Sequence, residues 1–306
     1  MSLIRYDDSA DLGFLAGSSC AFGVFDGVHE GHAFIIGRAI DAASAACQRS
    51  VVITFDRDPD EIFARGSFKK LMSNEERIAL LASSGVDDVL VLPFTEQLSA
   101  LSPDAFLDRL FGAQTPRSIH VGRDFRFGSH AAGTADDLKR WGAARNMSVD
   151  ASDLLLEGGL PVTSSRIRAL LAQGEVAEAK KLLGRRYAVT GAVEAGRGEG
   201  RDFGFRTANL TVADELHVLG DGVYAAYAIV NGARYKAAVS SGVSPTFADR
   251  TAANLEVHIL DFSGDLYGDA LRVEFEAWLR PMRTFDSLDE LIATVQDNIN
   301  WVRAHL

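Results

Sequence analysis

The chain has 306 residues, 47% of them hydrophobic, and a formal net charge of −11 at pH 7. That length exceeds what one core usually holds, so two domains are expected. The acidic balance weighs against nonspecific nucleic-acid binding, which depends on clustered Lys and Arg, so no nucleic-acid partner is expected. The only cysteines, Cys20 and Cys47, sit in apolar or helical patterns, which argues against a disulfide framework and for a reducing compartment. The first residues, MSLIRYDDSADL, show no signal-peptide pattern and no apolar run long enough to span a membrane, so a cytoplasmic location is expected.

The first strong signal is Gly23–His32, GVFDGVHEGH. Cys20–Phe25 reads as a strand, Asp26-Gly27 as a turn, and Gly31 onward as a helix with apolar residues at helical spacing. His29 and His32 then lie about one helical turn apart, beside first-turn N–H groups that attract phosphate. Gly31 lets a ligand approach the backbone closely, and Gly23 and Phe25 flank the same turn. The grouping suits attack on a nucleoside triphosphate, with the imidazoles as fixed donors to developing phosphoryl charge. A histidine pair at this spacing also suits a cation, but no further Cys or His stands nearby at zinc-ligand spacing.

Strands and helices then alternate. Val51–Phe55 reads as strand, Asn74–Ser83 as helix, Val86–Pro93 as strand, Pro103–Phe111 as helix behind Ser102, and Ile119–Phe125 as strand. Helix Ala135–Arg145, strand Ser148–Ala151 and helices Ser165–Ala172 and Val176–Leu183 follow. Such alternation predicts a parallel α/β sheet with its ligand at the carboxyl ends of the strands. Val162–Arg168, VTSSRIR, opens a helix with Thr163 or Ser164 as cap and then Ser165, Arg166 and Arg168. An arginine in a first turn opposes the helix dipole unless an anion binds there, so the segment reads as a phosphate clamp.

After Tyr187 the pattern turns to β: Tyr187–Glu194, Gly222–Val230, Arg234–Val239, Leu255–Asp261 and Leu271–Ala277, with Asn231-Gly232 as a tight hairpin and Ser287–Leu306 as a closing amphipathic helix. A small β-barrel with a carboxyl-terminal helix is expected. The run Gly196–Gly204, GRGEGRDFG, precedes the extended FRTANLTV rather than a helix, so it fails as a dinucleotide fingerprint and reads as a loop over phosphates. Alternation places Glu256, His258 and Leu260 opposite Leu255, Val257 and Ile259.

Taken with LGRRYAVTGAV, VITFDRDP, VGRDFRFG, PTF and LEVHILDFSGDLYG, the HxGH element and VTSSRIR give a chain that resembles the bacterial bifunctional riboflavin kinase/FAD synthetase family over nearly its whole length. The resemblance implies a Rossmann-like nucleotidylyltransferase domain over residues 1–184 and an antiparallel kinase β-barrel with a carboxyl-terminal helix over 185–306. It implies ATP and Mg²⁺, with riboflavin, FMN and FAD as substrates and products. By the same resemblance His29, His32 and Glu256 are catalytic, with Glu256 accepting the riboflavin hydroxyl proton. Thr207 and Asn209 meet metal and phosphates, Gly196 and Gly198 line the phosphate loop, and Ser164, Ser165 and Arg168 grip phosphates. Asp124 is the expected flavin-side or nucleotide-side contact.

The chain departs from the family pattern at Arg206 for the proline of PTAN, at Ser240-Ser241-Gly242 for Asn-Ile-Gly, and at Arg57-Asp58 for Pro-His. The first two leave open an alternative in which only FMN adenylylation survives and the barrel is a flavin-binding or regulatory module. A nucleotidylyltransferase acting on another phosphorylated cofactor, or a flavin-binding protein without turnover, are further alternatives; the β half opposes the first, and the HxGH and SSRIR pairing the second.

Overall fold

The computed structural model describes residues 2–6, 12–63, 68–112, 114–194, 205–216, 218–242 and 254–306. The chain packs as two compact units, Met1–Phe68 with Ser73–Thr163, and Lys69–Met72 with Ser164–Leu306.

The first unit is built on six parallel strands: β1 (Ser2–Arg5), β2 (Ser19–Phe22), β3 (Ser50–Phe55), β4 (Asp88–Leu92), β5 (Ser118–Gly122) and, after the short pair β6 (Arg126–Phe127) and β7 (Gly133–Thr134), β8 (Ser148–Ser152). Their order is β1-β4-β3-β2-β5-β8. The chain runs outward from β2 through β3 to β4, then returns to the other side of β2 as β5, so β2 and β5 frame a topological switch point. Helices α1 (Glu30–Ala45), α2 (Pro59–Phe63), α3 (Asn74–Ala82), α4 (Glu96–Ser99), α5 (Pro103–Phe111) and α6 (Ala135–Ala143) connect the strands. A small hairpin, β9 (Leu156–Glu157) with β10 (Leu160–Pro161), ends the unit.

The period of two decides the core. Phe22, Val51, Ile53, Phe55, Leu90 and Leu92 bury on one sheet face with Phe106, Phe111 and Trp141, whereas Ala21, Val52, Val89 and Val91 bury on the other with Ile36, Ile78 and Leu81. Helix α5 spans the expected residues because Ser102 accepts from the Ala105 N–H and Pro103 occupies the first turn. The strand expected over Cys20–Phe25 stops at Phe22, and that expected over Ile119–Phe125 stops at Gly122. In both cases the chain turns sharply, with Phe25 at φ 61° in the first and the Phe125 N–H bonded to Gly122 O in the second.

In the second unit α7 (Ser164–Ala172) and α8 (Val176–Leu183) precede a closed six-stranded antiparallel barrel in the order β11-β12-β15-β14-β13-β16. The strands are β11 (Ala188–Glu194), β12 (Ala208–Thr211), β13 (Gly222–Val230), β14 (Ala233–Ser241), β15 (Asn254–Ile259) and β16 (Ala270–Arg280). Closure removes the exposed strand edges that an open sheet would present. The Asn231-Gly232 hairpin forms as read, both residues at positive φ (49° and 78°) and Val230 paired with Ala233. Helix α9 (Leu288–His305) is capped by Ser287 and buries Ile299 and Val302 against Leu260 and Ala225.

The compact division falls at Thr163/Ser164, earlier in the chain than the change of pattern at Gly184. Two contacts tie α7 and α8 to the barrel side: the Gly220 N–H, just ahead of β13, donates to Leu171 O of α7, and Lys180 of α8 pairs with Glu276 of β16, which Arg186 beyond α8 also meets.

Candidate active sites

The GVFDGVHEGH turn leaves β2 at the switch point. Gly23 still donates to Ile53 O, but Phe25 takes a left-handed conformation that costs a non-glycine residue roughly 1–3 kcal/mol. Its ring is buried and meets the His32 ring edge-on, with centroids 5.2 Å apart. A Cβ on Gly23 would lie 3.2 Å from that ring, a tight contact that the ring would have to yield to.

His29 is the N-cap of α1, a role the sequence reading did not give it. Its Nδ1 accepts the His32 N–H at 3.3 Å, and the two imidazoles stack with centroids 3.6 Å apart. Because Nδ1 accepts, the proton of neutral His29 sits on Nε2. Gly31 packs so tightly that a Cβ would lie 3.1 Å from the His29 ring and 3.2 Å from the Val162 carbonyl.

Asp124 is exposed at the carboxyl end of β5, folded back so that a Cβ on Gly122 would fall 2.7 Å from its Oδ1. Asp58 follows β3 and is buried, with Oδ1 accepting the Asp60 N–H at 3.0 Å. Burial, reinforced by Asp26 and Asp60, pushes its carboxyl up to about 6. Ser164, Ser165 and Arg168 share the first turns of α7 in the second unit, with Ser164 and Arg168 four apart on one helix face.

In the barrel, register assembles what the sequence could not. Asn209 of β12 pairs directly with Glu256 of β15, and Glu256 pairs on its other side with Ser240 of β14. Directly opposed residues point to the same sheet face, so the three form one row. Leu255, Val257 and Ile259 are buried while Glu256 is exposed, the alternation expected of this strand. Thr207 is exposed just ahead of β12, and His258 Nδ1–H donates to the Arg206 carbonyl at 2.8 Å. Gly196, Gly198 and the PTF segment lie outside the described residues.

Residues 14–166 match the family model described as FAD synthetase, and residues 183–306 match riboflavin kinase. A bifunctional riboflavin kinase/FMN adenylyltransferase of Listeria monocytogenes is 34% identical over 93% of this chain and 91% of its own. The chain belongs to the bifunctional riboflavin kinase/FMN adenylyltransferase family. A second member, from Pseudomonas fluorescens, is also 34% identical, over 94% of this chain and 93% of its own. A crystal structure described as a macrolide-efflux protein of Streptococcus pneumoniae superposes with a TM-score of 0.85 at 30% identity, covering 98% of both chains. Among the described residues no helix is long and apolar enough to cross a membrane. The family thus carries two transferase domains on one chain, and both are matched here.

Proposed function

We propose that the chain makes FAD from riboflavin in two ATP-dependent transfers, with residues 185–306 phosphorylating riboflavin and residues 1–184 adenylylating FMN. The observation that carries this reading is that both family models match the one chain, so the bifunctional reading is preferred to a lone adenylyltransferase with a degenerate barrel.

In the kinase half, Glu256 accepts the proton of the riboflavin 5′-hydroxyl as its oxygen attacks the γ-phosphorus of ATP, and ADP leaves. Asn209 pairs with Glu256 in the barrel register, which supports a metal and phosphate contact next to the base. The donor pair of Thr207 hydroxyl and Asn209 amide oxygen is all oxygen, which suits a hard cation such as Mg²⁺. That ion, arriving with ATP, would neutralise charge on the β- and γ-phosphates. Gly196 and Gly198 would close over the same phosphates.

In the adenylyl-transfer half, an FMN phosphate oxygen attacks the α-phosphorus of a second ATP and pyrophosphate leaves. No covalent nucleophile is needed. The His29 Nε2–H and His32 stabilise the charge on the five-coordinate phosphorus, Ser164, Ser165 and Arg168 grip phosphates, Gly23, Phe25 and Gly31 shape the turn, and Asp124 contacts flavin or nucleotide. The protein acts on small molecules in the cytoplasm, with no nucleic-acid partner.

The test gives the purified protein ATP and Mg²⁺ with riboflavin in one tube and FMN in the other, and separates the flavins by chromatography. FAD in both tubes is expected. FAD from the FMN tube alone, with no FMN formed from riboflavin, would remove the kinase assignment; FAD from neither tube would remove the adenylyl-transfer assignment, and no FMN from riboflavin either would remove both.

A further inference from the structure

Arg77 lies on α3, 2% exposed, on the same helix as Ile78 and Leu81, which pack against the sheet. A packing role would be met by an apolar side chain without the desolvation of a guanidinium. Burial lowers the Arg77 pKa, an effect opposed by Asp58, Asp26, Glu61 and Asp56. The donors go to particular places. Nη1 reaches the Val24 carbonyl at 2.5 Å and Thr54 Oγ1 at 2.8 Å, and Nη2 reaches the Phe55 carbonyl at 2.8 Å and Asn74 Oδ1 at 3.1 Å. Thr54 Oγ1 in turn donates to the same Val24 carbonyl at 3.1 Å. One fork therefore ties the carboxyl ends of β2 and β3 together.

Val24 is the residue before Phe25, whose left-handed backbone starts the histidine turn and whose ring seats His32. We propose that Arg77 is a positioning residue for adenylyl transfer, holding the Val24–Phe25 peptide so that His32 and its stacked partner His29 meet the transferring phosphoryl group. The inference rests on the adenylyl-transfer reading of that turn and names the buried support on which its geometry depends. A geometry relaxed by a fraction of an ångström weakens interactions made in the transition state more than ground-state binding. The loss therefore falls on kcat for FAD formation, with KM for FMN and ATP little changed.

The test uses the full chain, whose riboflavin phosphorylation serves as an internal control. Arg77→Met is expected to lower kcat for FMN adenylylation 10- to 100-fold, with phosphorylation within twofold, and Arg77→Lys to recover part of the loss. In NMR spectra of the free protein, Arg77→Met should move the His29 and His32 ring resonances and leave His258 and His305 in place. Thr54→Val, nearly isosteric, is expected to cost severalfold in the same kcat and decides the matter if Arg77→Met does not fold. A folded Arg77→Met with full kcat, a fall in KM terms alone, or an unchanged Thr54→Val would overturn the proposal. His32→Ala separates the two readings: if it keeps FAD formation, the adenylyl-transfer site is wrong, and if it loses FAD formation while Arg77→Met does not, only the positioning role fails.

Discussion

Replacing Asp58 by Asn should stabilise the first unit at neutral pH and do little in acid. Asp58 is 8% exposed, and burial together with the carboxylates of Asp26 and Asp60 raises it from 3.8 to about 6. A shift of about 2 units corresponds to about 3 kcal/mol, taken as an upper figure. The sign follows from proton binding. With its folded pKa above its unfolded one, Asp58 contributes stability that is fully present below about pH 4 and lost as pH rises through about 6. Above that range the ionised carboxylate is a cost. Asn keeps an Oδ1 to accept the Asp60 N–H and carries no charge, so the gain over the parent grows from near zero at pH 4 to about 2–3 kcal/mol at pH 8. At roughly 2–4 °C per kcal/mol, the calorimetric Tm gap should reach about 5–10 °C at pH 8. A gap that does not depend on pH, or a variant less stable than the parent at pH 8, would refute the reasoning.

Three further outcomes follow from the two sites. His32→Ala should lower FMN adenylylation by ~10²–10³-fold, the size expected for removing a transition-state donor, while riboflavin phosphorylation measured on the same preparation stays within twofold. Glu256→Gln should do the reverse, lowering phosphorylation by ~10²–10⁴-fold and sparing adenylylation; an unchanged phosphorylation rate would remove Glu256 from the mechanism. Gly31→Ala puts a methyl 3.1 Å from the His29 ring and 3.2 Å from the Val162 carbonyl, so FAD formation should fall at least tenfold in a folded protein. Full activity in that variant would mean the histidine turn tolerates displacement.

What the sequence made legible was whatever is encoded locally. The Ser102-Pro103 start of α5, the Asn231-Gly232 hairpin and the alternation around Glu256 each carry their cause within a few residues, and each forms where expected. Features that depend on a distant partner did not show. Strand β1 is exposed and unremarkable in sequence and exists because it pairs in parallel with β4. Arg77 sits in a helix of mixed polarity, and nothing local tells that its four bonds end on Val24 just after β2, on Thr54 and Phe55 of β3, and on Asn74. The N-cap role of His29 is not legible locally, because it depends on its ring turning back so that Nδ1 meets the His32 N–H. The hairpin β9/β10 escaped notice because its strands are two residues each, too short for periodicity.

The same distinction bears on the departures that put the kinase half in question. A proline in place of Arg206 would restrain the loop by ~0.4–1 kcal/mol through the unfolded chain. The Arg206 carbonyl accepts the His258 Nδ1–H, a bond of about 0.5–1.5 kcal/mol net from the strand that carries Glu256, and a proline carbonyl at that position could accept the same bond. That bond holds residue 206, next to Thr207, to β15 two residues from Glu256. Ser240 is the departure that touches the chemistry directly, because it is the register partner of Glu256, while its Oγ points to the Met282 sulfur at 3.3 Å. A serine there leaves the Asn209–Glu256 pairing intact on the opposite side of the base. Both departures leave the Asn209–Glu256–Ser240 row of the barrel in register, which is the arrangement the proposed kinase chemistry uses.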